Sequence, residues 1–146
     1  MKRFAKCICL MLILALCLPS TALAEQQESA STYSYYFSSY GTGLGKITDR
    51  KFEISFNVIA RDDMDELGAY SIELQRSTSG TGDWVTVKTY TPSNYPELMD
   101  TNATFHTGCV YYTGGYGCYY RAYVTFCASK GNGAGYVSAY SNVLKI

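Results

Sequence analysis

From Lys51 to Ala60 apolar and polar side chains alternate: Phe52, Ile54, Phe56 and Val58 stand between Lys51, Glu53, Ser55 and Asn57. A period of two places every second side chain on the same face of an extended chain, so the stretch reads as a strand with one dry and one wet face. One wet face is the mark of an antiparallel sheet, and this strand sets the class of the fold.

The remainder follows the same template. Tyr33–Tyr40 reads as an opening strand, and Gly41-Thr42-Gly43-Leu44-Gly45 as the turn after it. The charged stretch Arg61–Gly68 interrupts the alternation, and Ala69–Arg76 resumes it with Tyr70, Ile72 and Leu74 on one side. Ser77–Asp83 is a Ser/Thr/Gly turn, Trp84–Tyr90 a strand, and Thr91–Asn102, with Pro92 and Pro96, a long connection. Thr104–Tyr112 and Gly117–Ala128 are strands about the turn Thr113-Gly114-Gly115-Tyr116, and Tyr136–Ile146 closes the chain. No segment reads as a convincing helix. About seven short strands predict an all-β, two-sheet antiparallel sandwich over residues 33–146.

Ahead of it lies a different kind of segment. Lys2, Arg3 and Lys6 precede an apolar run from Cys7 to Leu18, and Ala22-Leu23-Ala24 offers small residues for a signal peptidase. The expectation is a signal peptide helix at residues 1–24, cleaved after Ala24, then a disordered polar segment at residues 25–32. An apolar run of about a dozen residues is too short to span a bilayer of roughly 30 Å, so the mature chain is expected to have no membrane span. Leu14-Ala15-Leu16-Cys17 loosely resembles a lipoprotein signal, but Leu16 is bulky where that processing wants a small residue. The expected location is secreted or extracellular.

The chain carries 12 basic and 12 acidic residues, three of the basic ones within the signal segment. What remains is mildly acidic and has no basic block to follow a phosphate backbone, which argues against nucleic acid as a partner.

Several segments resemble known folds. Tyr120-Arg121-Ala122-Tyr123-Val124 resembles the penultimate strand of fibronectin type III domains, in which a tyrosine folds its hydroxyl back on the adjoining corner. Ser138–Val143 is similar to the final strand of bacterial members, and Gln75-Arg76-Ser77 with Trp84-Val85-Thr86-Val87 to the central hairpin. The start departs from that pattern: Phe56 stands where a core tryptophan is common. More broadly, Tyr36–Tyr40, Met64–Ala69, Trp84–Tyr90 and Tyr119–Phe126 resemble an uncharacterised family of small secreted proteins from Gram-positive bacteria. That resemblance implies an immunoglobulin-like or fibronectin type III-like sandwich, and no activity.

Three cysteines, Cys109, Cys118 and Cys127, follow the signal segment. If Val110–Tyr112 folds back on Gly115–Gly117, Cys109 and Cys118 fall opposite each other and can form a disulfide. Cys127, nine residues further on, would lie about 30 Å from Cys118 along one strand, which leaves it unpaired and free for an intermolecular bond.

Asp62, Asp63, Asp65 and Glu66 crowd one segment, yet their spacing does not match a calcium loop, and solvated carboxylates are the expectation. His106 is the single histidine, and no nucleophile elbow, paired histidines or phosphate loop accompanies it. Neither catalytic residues nor a cofactor are therefore assigned.

The best candidate binding surface is the row Tyr119, Arg121 and Tyr123. If Tyr120, Ala122, Val124 and Phe126 face the core, these three project outward, where tyrosines flanking an arginine suit a sugar or a protein. A stabilising aromatic ladder is the competing expectation. The function expected is a non-catalytic binding module for a glycan, a cell-wall polymer or an extracellular protein. An antimicrobial or toxin-like effector comes second and a small hydrolase third.

Overall fold

The computed structural model describes residues 35–146, and the expected signal peptide and polar segment lie outside the described residues. The strands are β1 (Phe37–Lys46), β2 (Lys51–Ser77), β3 (Val85–Tyr90), β4 (Met99–Thr113), β5 (Tyr119–Lys130), β6 (Gly133–Tyr140) and β7 (Leu144–Lys145). One 3-10 turn, Pro96–Leu98, interrupts the long connection before β4. The fold is all-β, and every pairing is antiparallel.

A single strand organises it. β2 has 27 residues, which at roughly 3.3 Å each would reach about 90 Å if straight. A domain of this size cannot bury so long a rod, so the sheet curls. The first half of β2 pairs with β1 and with the second half of β4; its second half pairs with β3 and β5. β6 and β7 extend the sheet from β5. All seven strands therefore belong to one hydrogen-bonded sheet. Its curl brings the inner faces of the two halves together, with Phe52 against Tyr120 at 5.0 Å between ring centroids and Phe56 against Phe126 at 6.5 Å.

Phe52, Ile54, Phe56 and Val58 are all buried, as the alternation requires, and Tyr120, Ala122, Val124 and Phe126 meet them in one core. The Tyr120 hydroxyl folds back and accepts a hydrogen bond from the Gly115 amide at 2.8 Å.

Several boundaries differ from expectation. Arg61–Gly68 does not break the strand: a register shift between Ile59 and Met64 absorbs the bend while the chain stays extended. The carboxylates there tie β2 to the β5–β6 turn. Asp62 accepts from Lys130 at 2.6 Å and Asp65 from the Gly131 amide at 2.7 Å. A second bulge falls between Ala69 and Ser71, so Tyr70 is the extra residue. One added residue reverses the alternation: Ala69 is buried and Tyr70 is turned out to solvent, opposite to the side expected with Ile72 and Leu74.

Gly41–Gly45 is strand, not turn. Its glycines oppose Asn57, Ser55 and Glu53 of β2 and leave room for those larger polar groups. Gly68 serves a closer approach, since a methyl there would overlap the Leu98 carbonyl, where the 3-10 turn crosses β2. The expected last strand is split into β6 and β7. Between them Asn142 accepts from the Leu44 amide at 2.8 Å and donates to the Leu44 carbonyl at 3.2 Å, taking the place of a strand beside β1.

Candidate functional site

Alternation along β5 puts Tyr119, Arg121 and Tyr123 on the outer face, above the buried Tyr120, Ala122 and Val124. Arg121 lies opposite Gln75 of β2, and its Nε donates to Gln75 Oε1 at 2.8 Å. Its guanidinium lies over two rings, that of Trp84 at 4.3 Å and that of Tyr140 at 4.4 Å. Tyr140 stands opposite Tyr123 on β6 with ring centroids 4.7 Å apart. Tyr119 joins the same face with the Lys145 ammonium 5.1 Å over its ring.

The three residues singled out from the sequence thus share one surface, together with Trp84 and Tyr140, which the alternation of β5 alone did not name. Planar guanidinium stacked on two rings holds them in fixed orientation, each contact worth about 0.5–1 kcal/mol at an exposed site. Tyr140 remains 54% exposed. Further along, Tyr70 and Tyr136 meet edge to face at 5.4 Å, both turned to solvent. The bulge that turns Tyr70 outward also creates this pair.

The cysteines are placed differently from expectation. Cys109, Cys118 and Cys127 are all free. The hairpin that would have joined Cys109 to Cys118 does not form, because β4 and β5 both pair with β2 and not with each other. Val110 faces the core opposite Ile54, so Cys109 faces outward beside Ser55, where its thiol donates to the Tyr111 hydroxyl at 3.3 Å. Cys118 packs against the core. The two thiols are on opposite faces. Cys127 is buried, and burial pushes its thiol up against the lowering hydrogen bond of Tyr136, which disfavours the thiolate an intermolecular disulfide would need.

His106 pins β4 to the preceding turn, its Nε2 3.0 Å from the Glu97 carbonyl and its Nδ1 3.8 Å from Asp100 Oδ2. Its ring packs on Phe56 at 5.5 Å. Among the described residues no group of three His, Cys, Asp or Glu side chains could hold a metal ion. No helix among them is long and apolar enough to cross a membrane.

A second surface was not legible in the alternation. Where the curl brings β3 beside the end of β4, a cavity of about 290 Å³ opens, lined by Lys51, Lys88, Tyr90, Tyr95, Tyr111 and Tyr112. Tyr90 is buried beneath it and its hydroxyl donates to the Tyr111 carbonyl at 3.0 Å. Burial, with Tyr95 and Tyr112 beside it, pushes the Tyr90 hydroxyl up to about 12. Lys51 lies 5.0 Å over the Tyr111 ring and Lys88 5.7 Å over that of Tyr90. Only the tyrosine content of Tyr90–Tyr95 and Tyr111–Tyr112 hinted at it; the lining comes from segments about 60 residues apart that meet through the curl (loop closure, not local pattern).

Comparison of the chain with protein-family models, with curated proteins and with solved structures finds no match. The functional argument therefore rests on the two surfaces themselves.

Proposed function

We propose that this chain is an exported, non-catalytic interaction module, akin to the small secreted Gram-positive proteins its segments resemble. In this reading the curled sheet serves as a fibronectin type III-like sandwich, and its outer β5–β6 face holds a glycan, a wall polymer or an extracellular protein. The observation that carries the reading is the row Trp84–Arg121–Tyr140–Tyr123, four interlocked side chains with one exposed ring edge. Binding surfaces favour aromatic and arginine anchors, and a ring fixed before contact loses little entropy on binding. Export is supported by the charged, apolar and small-residue order of residues 1–24.

Retention on isolated Gram-positive cell walls and on a glycan array tests it. Tyr123→Ser and Tyr140→Ser are expected to lower retention at least about tenfold, equivalent to about 1.4 kcal/mol, with cooperative thermal unfolding preserved. Undiminished retention in both variants would remove this face from the reading.

A further inference from the structure

The edge between β3 and β4 carries a surface that the outer row does not touch. Each of these strands pairs only with β2, so their ends stand apart, bridged by the bond from Tyr90 to Tyr111. Lys88 occupies an inward register opposite Leu74, yet it is exposed because it sits at the open edge. Lys88 and Lys51 both line the cavity between the strands, their ammonium groups over the Tyr90 and Tyr111 rings. Among the described residues neither has a carboxylate within ion-pair distance. Glu53, two residues from Lys51 and opposite Tyr111, lays its carboxylate against Gly45 of β1, still near enough to push the Tyr111 hydroxyl up.

Two positive charges over tyrosine rings, neither in an ion pair among the described residues, make a site for an anion with a flat body. At about 290 Å³ the cavity stands at the lower limit of small-molecule sites, room for one ring and not for a long chain. Tyrosine faces stack on the C–H face of a pyranose, phenolic hydroxyls meet its hydroxyls, and the ammonium groups take a carboxylate. We propose that this cavity binds an acidic sugar, a pyranose ring bearing a carboxylate. Inorganic phosphate would leave the rings without a partner, and a neutral sugar would leave the ammonium groups without one.

The proposal rests on reading the domain as a binder, but on a different surface. Calorimetry of the intact protein with glucuronate oligosaccharides, a glucose oligosaccharide of equal length and inorganic phosphate tests it. The uronate is expected to bind at least about tenfold more tightly than either other probe, since that factor is about 1.4 kcal/mol, within reach of one charged hydrogen bond. Lys51→Gln and Lys88→Gln should each weaken uronate binding several-fold, and Lys46→Gln, which removes an exposed charge at the end of β1 outside the cavity, should leave it unchanged. Equal binding of the glucose oligosaccharide or of phosphate overturns the proposal, as does no uronate binding at all. So does a Lys88→Gln variant that binds normally but self-associates, because the lysine would then serve to guard an open strand edge. Absent uronate binding with wall retention intact defeats this assignment alone; loss of both defeats the binding module as well.

Discussion

The outer face of β5 and the cavity beside β3 are built from the same residue types, tyrosine and a cation, and they differ in what is left over. Arg121 sets its guanidinium over two rings, Trp84 and Tyr140, and its Nε on Gln75. Lys51 and Lys88 each rest over a single ring beside the cavity and, among the described residues, form no ion pair. A planar, weakly hydrated cation can be saturated by its own protein, whereas a compact ammonium keeps donors free. The first arrangement makes a rigid platform that offers ring edges; the second offers charge.

The strongest way to break the comparison is to remove a ring from each region. Tyr90→Ala empties a buried position and should destabilise the fold by about 3–5 kcal/mol. Tyr140→Ala removes a half-exposed ring and should lose about 1 kcal/mol. Chemical denaturation measures both, and similar losses would mean that the platform is as much core as the cavity floor.

Alkali is the next probe, and it singles out the cavity floor. Tyr90 titrates near 10.0 when unfolded and at about 12 when folded, chiefly through burial. The folded state therefore keeps its proton longer. That contribution is complete below pH 10 and is lost as pH rises from 10 towards 12, amounting to about 3 kcal/mol. Unfolding followed by tyrosinate absorbance should show the loss, and Tyr90→Phe should flatten it.

The smallest effect sharpens the contrast most. Double-mutant cycles should give about 1 kcal/mol of coupling between Arg121 and Tyr140, and less than about 0.5 kcal/mol between Lys88 and Tyr90. Equal couplings would erase the distinction between a saturated cation and a free one.

The sequence made some of this legible. The outward row Tyr119–Arg121–Tyr123 and the buried set Tyr120, Ala122, Val124 and Phe126 both follow from a period of two that holds along β5 as far as Phe126. The alternation failed where one residue was added. Tyr70 was expected on the side of Ile72 and Leu74 and lies on the other because a bulge shifted the phase, and β1 runs through Gly41–Gly45, where the glycines leave room for Asn57, Ser55 and Glu53 opposite. The cysteine pairing failed for a different reason: it assumed that neighbours in sequence pair in space, and β4 and β5 both chose β2.

By itself, then, the amino-acid order determined the class of structure and which side chains of each uninterrupted strand are buried, because the two-residue period is a property of the extended backbone. Tertiary structure alone decided the continuity of β2, the placing of Arg121 over Trp84 and Tyr140, the separation of Cys109 from Cys118 and the cavity between β3 and β4. Each of these depends on strand partners and register, which are settled by packing between segments far apart in the chain, where a single inserted residue turns a side chain from one face to the other.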